Sequence, residues 1–197
     1  MDKQIIFKSN KLSRTTVKNN ITKVYLMSKD TSNWYAEALE FCTNVAKDNN
    51  QSIGSVVGVV SALSPRKNWI MNKKIAVELI KTNDCGHMKV FVQKARDCLT
   101  SNTDKQILKV LNGKKISSFY LNIRYPDRIG TVTIDRHAIA VAIGRTATNE
   151  ELALTDKQYK FFEDTYKYTA KMLGVTPQLL QAITWETWRV NKSKTLS

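Results

Sequence analysis

One aspartate, placed where a helix is expected to begin, is the residue best suited to chemistry. The segment Gly130–Gly144 reads GTVTIDRHAIAVAIG, an extended stretch followed by a helix of small apolar residues. Asp135 therefore falls at the border between solvent and core, followed by Arg136 and His137. A fixed carboxylate there can stabilise developing positive charge or activate water. The alternative is an ordinary N-cap aspartate paired with Arg136, beside a structural His137.

A short turn between two predicted helices has the features of a phosphate site. An amphipathic segment, 104–111, is followed by Asn112 and Gly113, and the next helix starts with Lys114 and Lys115. At such a turn the backbone N–H groups and the dipole of the second helix favour an anion. Turns of this kind are also common as purely structural connections, so the pattern alone leaves both roles open.

The third segment of interest is a polar turn that follows an apolar run. Segment 52–63, SIGSVVGVVSAL, is predicted as a buried helix rather than a buried strand, and it leads into Arg66, Lys67, Asn68 and Trp69. Arginine, asparagine and tryptophan at one exposed turn can stack on bases or fill a gap in a duplex. The alternative for Trp69 is a core anchor of the following helix.

Helical periodicity predicts the elements that position these segments. Apolar residues recur at helical spacing over 34–45 and over 159–173. The second of these helices follows the cap candidate Thr155 and ends at Gly174. Another helix is predicted to begin at Thr176-Pro177. With only 7 Gly and 3 Pro, a turn-rich all-β chain is disfavoured. The sequence therefore predicts an all-α fold of about ten helices.

The composition points to a polyanionic partner. The chain has 31 Lys and Arg against 17 Asp and Glu, a net charge of +14, with 42% hydrophobic residues as in globular proteins. A folded, strongly basic protein commonly binds nucleic acid. A generally basic protein and an anionic membrane surface are the alternatives, the second weakened by the lack of a long exposed apolar face. The locally acidic segment 150–164 is expected to lie away from the bound polyanion.

Other functional classes are disfavoured by what the sequence lacks. No apolar run is long enough to span a membrane, and the basic start carries no secretory signal pattern. Three cysteines without a CxxC pair and two histidines without ligand spacing predict a reducing cytoplasm and no metal site.

Taken in order, the three segments resemble the helix-hairpin-helix DNA glycosylase superfamily, which includes endonuclease III and 8-oxoguanine DNA glycosylase. The matching pieces are Ala62-Leu63-Ser64-Pro65-Arg66, Leu111-Asn112-Gly113-Lys114-Lys115 and Val132-Thr133-Ile134-Asp135-Arg136-His137. They fall within about residues 50–145 of a single expected domain, 1–197. The resemblance implies a helix-hairpin-helix glycosylase-like bundle, either one body or two interlocked lobes with a groove between them.

The resemblance also implies roles for individual residues. Asp135 matches the catalytic aspartate, and Gly113 with the amides around Lys114 and Lys115 matches the hairpin that grips a phosphate. Arg66 matches the residue that fills the gap left by the extruded base. The further DNA contacts expected are Lys67, Asn68, Ser117 and Arg136, and the expected base pocket includes Trp69 and His137. Trp185 and Trp188 stand at helical spacing, which favours core packing over base stacking.

Departures from the family pattern narrow the expected chemistry. Lys115 replaces the second glycine of the family hairpin, which puts a monovalent cation at the hairpin in doubt without excluding it. No lysine occurs from 116 to 134, where the family's lyase lysine lies, so a glycosylase without lyase activity is expected. The alternative is that Lys114 or Lys115 takes the place of the lyase lysine. The cysteines that hold an iron–sulfur cluster in some members are absent, and no cofactor is predicted.

The resulting hypothesis is an enzyme that flips a modified or damaged base out of double-stranded DNA. It would hydrolyse the N-glycosidic bond through an oxocarbenium-like transition state stabilised by Asp135. It is expected to act as a monomer in the cytoplasm, associated with the nucleoid, or in a host cytoplasm if encoded by a phage. Two alternatives stay open: a glycosylase scaffold adapted to DNA base hypermodification, and a non-catalytic DNA-binding module.

Overall fold

The computed structural model describes residues 2–8, 10–28, 32–128 and 130–195, with side chains described as far as residue 191. Within these residues the chain forms eleven helices and two short strands. In chain order they are β1 (Gln4–Phe7), β2 (Asn10–Ser13), α1 (Arg14–Leu26), α2 (Trp34–Asp48), α3 (Ile53–Leu63), α4 (Trp69–Thr82), α5 (Lys89–Leu99), α6 (Asp104–Leu111), α7 (Lys114–Arg124), α8 (Arg136–Ile143), α9 (Asn149–Leu152), α10 (Asp156–Leu173) and α11 (Pro177–Thr195). The prediction of a mainly helical chain is confirmed, with eleven described helices where about ten were expected.

The chain divides into two compact units. The terminal unit consists of Met1–Asn33 together with Asp127–Ser197, and the middle unit is Trp34–Pro126. The terminal unit therefore contains β1, β2, α1 and α8–α11, and the middle unit contains α2–α7. No helix among the described residues is both long and apolar enough to cross a membrane.

The strand pair at the start of the chain is a difference from the all-α prediction. Strands β1 and β2 pair antiparallel, with Ile5 opposite Leu12. Ile5 and Phe7 are buried in the terminal unit, and the Phe7 and Phe162 rings pack edge to face with 5.3 Å between their centroids. Each strand has only four residues, so an alternation of apolar and polar side chains is too short to be recognised in this charged part of the sequence.

The core of the terminal unit forms where α1, α8, α10 and α11 pack together. Predicted boundaries of α10 are confirmed: Thr155 and Gln158 form a capping box, and Gly174 ends the helix in the left-handed conformation at φ 69°. Trp188 packs partly buried against this core, as its spacing predicted. The largest fully buried side chains here include Ile21, Phe162, Tyr166 and Leu180.

The middle unit is built around α3. This segment is a helix, as predicted, capped by Ser52, and it is buried from Gly54 to Leu63. A side chain at Gly58 would come within 2.9 Å of the Cys98 Cβ atom, so the glycine permits close packing of α5. At Gly54 an added Cβ would lie 3.3 Å from the Tyr120 hydroxyl. The small residues of α3 therefore let α5 and the α6–α7 pair approach its backbone.

Candidate active site

Asp135 is the N-cap of α8, and its two carboxylate oxygens have different environments. Oδ1 accepts hydrogen bonds from the amides of His137 at 3.0 Å and Ala138 at 2.8 Å. Oδ2 makes no hydrogen bond or ion pair within the part of the chain that the structure describes. The side chain is half-buried. The cap therefore fixes the carboxylate through one oxygen and leaves the other available for a ligand.

Two tyrosines of α10 hold the backbone on either side of Asp135. The Tyr159 hydroxyl accepts from the Ile134 amide and donates to the Val132 carbonyl, both at 3.3 Å. Two turns further along the same face of α10, the Tyr166 hydroxyl donates to the Ala138 carbonyl at 3.1 Å. Burial raises the pKa of Tyr166, and the nearby charge of Asp135 adds to the effect. Buried hydrogen bonds therefore fix the backbone on both sides of Asp135.

The far end of α8 is also fixed. Gly144 ends the helix in the left-handed conformation, at φ 74°. Asn20 Nδ2 donates to the Ala142 carbonyl at 2.9 Å. A Cβ atom added at Gly144 would lie 3.1 Å from this Asn20 Nδ2 atom. With both ends held, α8 keeps Asp135 in one place relative to the core of the terminal unit.

The residues that follow Asp135 form a cluster of rings and cations. Arg136 is exposed, and its Nε donates to His137 Nε2 at 3.3 Å, so it pairs with the histidine and not with Asp135. The His137 ring meets Trp185 edge-on, with 6.1 Å between the ring centroids. The Arg189 guanidinium lies 4.8 Å from the Trp185 ring centroid. Trp185 is half-buried and contacts His137, two residues after Asp135. The helical spacing of Trp185 and Trp188 did not indicate this contact.

In the middle unit, the predicted helix–turn–helix is present between α6 and α7. Asn112 takes the left-handed conformation at φ 41°, Gly113 is extended, and α7 begins at Lys114. Because Gly113 is the N-cap, no side chain caps the first amides of α7. Lys114 and Lys115 are exposed beside them. The local geometry is that of an anion site, while phosphate binding itself stays a prediction.

Ser117 lies in the first turn of α7, where it is half-buried and its amide donates to the Gly113 carbonyl at 2.8 Å. The end of α6 is held from another side, since Lys94 donates from Nζ to the Leu111 carbonyl at 2.9 Å. These contacts fix the turn whether or not a ligand is present.

The Asp104 carboxylate, which the sequence analysis did not single out, connects α6 to α7. Asp104, the first residue of α6, accepts hydrogen bonds from the hydroxyls of Tyr120 at 2.7 Å and of Tyr125. Arg124 lies 3.9 Å from the same carboxylate. Only the position of Asp104 at a helix start was visible in the sequence, and the tyrosines that bind it are 16 and 21 residues away.

The predicted DNA-contacting turn after α3 contains a strained residue. Arg66 is exposed and has a left-handed backbone at φ 62°, which is uncommon for a long side chain. Lys67 donates from Nζ to the Gly86 carbonyl at 3.5 Å. Asn68 caps α4, its Oδ1 accepting from the Met71 amide at 2.9 Å. Asn68 therefore has a structural task, while the Arg66 side chain faces solvent.

Trp69 belongs to a half-buried aromatic cluster of the middle unit. Its ring centroid lies 5.0 Å from that of Trp34 and 5.8 Å from that of Phe41. Lys73 covers its face at 5.6 Å. Trp69 is thus packed with neighbours and partly accessible, which is compatible with either predicted role. Of the expected base-pocket pair, Trp69 lies in the middle unit and His137 in the terminal unit.

A metal site would need several His, Cys, Asp or Glu side chains placed together. Within the described ranges, no group of three or more His, Cys, Asp or Glu side chains is placed to hold a metal ion. Cys42, Cys85 and Cys98 are buried free thiols, and burial raises the pKa of Cys42 and of Cys98 to about 12. These thiols are packing residues with no thiolate character at neutral pH.

Comparison with known protein families places the chain in a family. A family model with the description "Family of unknown function (DUF7178)" matches residues 3–192, which takes in most of both units. No curated protein and no solved structure matches the chain.

Proposed function

Because the chain belongs to the DUF7178 family, whose function is unknown, we propose its function from its own residues. The protein is a DNA glycosylase that flips a modified or damaged base and hydrolyses its N-glycosidic bond with Asp135. The observation that carries this proposal is the divided carboxylate of Asp135, with Oδ1 committed to the helix cap and Oδ2 uncommitted. Oδ2 can therefore contact a ligand without loss of the helix cap.

The reaction asks for one fixed negative charge and one water molecule. As the bond from C1′ to the base nitrogen breaks, its electron pair leaves with the base and positive charge develops on the sugar. Asp135 stabilises that charge. A water oxygen then bonds to C1′, and the proton it releases passes to the Asp135 carboxylate. The departing base takes up a proton from solvent, Asp135 releases the proton it accepted back to solvent, and the products are an abasic site and a free base.

Binding and base flipping are assigned to the middle unit. The α7 amides with Lys114 and Lys115 are expected to hold a phosphate, and Arg66 to enter the space left by the extruded base. Flipping costs a few kcal/mol, which these contacts offset. With about six to eight phosphates neutralised by the +14 chain, log K should fall with log salt at a slope of roughly −5 to −7.

The test compares wild type with Asp135→Asn on duplexes that each carry one deaminated, oxidised or alkylated base. Asparagine keeps the Oδ1 acceptor of the cap but lacks the charge, so the fold is retained. Alkali cleaves abasic sites, and wild type should produce strand breaks that fall at least about 100-fold in the variant. Asp48→Asn, at the exposed end of α2, is the matched control and should act like wild type.

Three results would argue against this function. Equal strand breakage by wild type and Asp135→Asn would remove Asp135 as the catalyst. A mass gain in nucleosides recovered from treated DNA would show base modification instead of excision. Salt-sensitive DNA binding with no product on any duplex would indicate a binding module.

A further inference from the structure

Two exposed arginines of the terminal unit, Arg136 next to Asp135 in the chain and Arg189 on α11, contact rings instead of carboxylates. Arg136 donates from Nε to His137 Nε2 at 3.3 Å, and the Arg189 guanidinium lies over the Trp185 ring, 4.8 Å from the ring centroid. Among the described residues neither arginine forms an ion pair. Both guanidinium groups therefore carry an uncompensated charge at the surface of the terminal unit.

Other arginines of this chain do form ion pairs with carboxylates. Arg145 pairs with Glu151 at 2.6 Å, and Arg96 with Asp84 at 3.5 Å. Glu186 lies three residues before Arg189 on α11, a spacing at which helical side chains can meet. Arg189 nevertheless lies over the Trp185 ring, so the position of its guanidinium is set by the aromatic face.

The two arginines belong to one cluster that includes the segment of Asp135. The His137 and Trp185 rings are in edge contact at 6.1 Å, which links the Arg136 end of the cluster to the Arg189 end. The His137 amide donates to Asp135 Oδ1 at 3.0 Å. A ligand that reaches Asp135 in the terminal unit therefore meets a surface with two positioned cations.

The hydrogen-bond donors that remain on these arginines suit phosphate oxygens. Arg136 uses only Nε, which leaves its two terminal NH₂ groups, and the Arg189 guanidinium makes no hydrogen bond among the described residues while it lies over the Trp185 ring. Guanidinium groups with such N–H donors bind phosphate in a bidentate manner. With a net charge of +14, the chain favours a polyanion with regularly repeated charges.

We propose that Arg136 and Arg189 form a phosphate-binding pair that holds the backbone of the DNA strand on which Asp135 acts. His137 and Trp185 are its positioning residues, because they set where the guanidinium groups lie. This inference rests on the proposed function and adds a second phosphate contact region, in the terminal unit, to the α7 turn of the middle unit.

The experiment measures binding of a fluorescein-labelled duplex of about 20 base pairs by the full chain carrying Asp135→Asn, so that no substrate is consumed. Arg136→Gln/Arg189→Gln is compared with Lys157→Gln/Lys171→Gln, which removes two exposed charges from α10 of the same unit. The arginine pair should lower the magnitude of the log–log salt slope by about 2, and the lysine pair by less than half of that.

Positioning by the rings is tested separately. Trp185→Leu should weaken DNA binding about two- to fivefold with both charges still present, and Trp185→Phe should restore most of the loss. Thermal unfolding of each variant confirms that the fold is retained.

Equal salt slopes for the arginine and lysine double variants, with duplex bound by both, would overturn this inference and leave the proposed function intact. Absence of duplex binding by the Asp135→Asn protein and by wild type at low salt would overturn both. Polyglutamate that displaces the duplex at equal charge concentration would show that the pair binds acidic peptide instead.

Discussion

The Tyr120 hydroxyl donates a hydrogen bond to the Asp104 carboxylate, with 2.7 Å between the two oxygens, and so ties α7 to α6. Tyr125 donates to the other oxygen of the same carboxylate, and Arg124 lies beside it. Burial raises the pKa of Asp104, but the hydrogen bonds from Tyr125 and Tyr120 and the charge of Arg124 outweigh it, so the pKa is lowered overall. The turn at Asn112-Gly113 thus connects two helices that a charged group holds together.

Removal of the Tyr120 hydroxyl should loosen this connection. Tyr120→Phe is expected to lower the free energy of unfolding by about 1–2 kcal/mol, because a buried hydrogen bond to a charged acceptor is lost. Urea denaturation measures the change. Tyr168→Phe removes a hydroxyl from an exposed ring and should stay within about 0.5 kcal/mol of wild type. Equal stabilities for the two variants would show that the Asp104 contact does not brace the hairpin.

The Arg145–Glu151 pair predicts how stability depends on pH. Hydrogen bonds from Arg145 lower the pKa of Glu151 from 4.5 to about 2, against the opposing effect of burial. A depressed pKa in the folded state means that the stabilisation is complete above pH 4.5 and is lost as the pH falls towards 2. Glu151→Gln should be about 1 kcal/mol less stable at pH 7, with the gap closing below pH 4. Urea denaturation of wild type and Glu151→Gln at pH 7 and below pH 4 measures the difference in their free energies of unfolding. A difference that does not change with pH would contradict the prediction.

The parts of the fold that the sequence predicted are those with local signals. The boundaries of α10 follow from Thr155 and Gly174, which cap the helix through contacts within a few residues. Asp135 at a helix start was equally visible: its N-cap role is confirmed through Oδ1, while its catalytic role, which would use the uncommitted Oδ2, stays a prediction.

The missed features depend on residues far apart in the chain. Trp185 meets His137 across 48 positions, and Tyr120 reaches Asp104 across 16. Such contacts are made by packing between elements, which leaves no periodic trace in the sequence. The left-handed backbone of Arg66 was hidden for a related reason, because arginine shows none of the preference for that conformation that glycine or asparagine does.

Gly113 allows the phosphate site to be tested without loss of the fold. Its backbone is extended, and an added Cβ would be 3.8 Å from the Leu111 carbonyl, an ordinary contact. Gly113→Ser should therefore fold with equal or slightly higher stability, because serine caps a helix well. Its hydroxyl would occupy the amides expected to hold phosphate, so duplex affinity should fall about tenfold, as measured by anisotropy. Unchanged affinity in the stably folded variant would count against the α7 amides as a phosphate site.

Arg66 offers the clearest separation of stability from function. Its left-handed backbone costs roughly 1 kcal/mol, a strain that glycine would not have. Arg66→Gly should therefore be as stable as wild type, or up to about 1 kcal/mol more stable in urea, since the greater freedom of unfolded glycine offsets part of the gain. If Arg66 fills the space of the extruded base, the same variant should flip a 2-aminopurine about tenfold less, an energy of about 1.4 kcal/mol. Asn83→Gly, at another exposed left-handed position, φ 60°, is the control and should leave flipping unchanged. Normal flipping by Arg66→Gly would show that the strain serves something other than the extruded base.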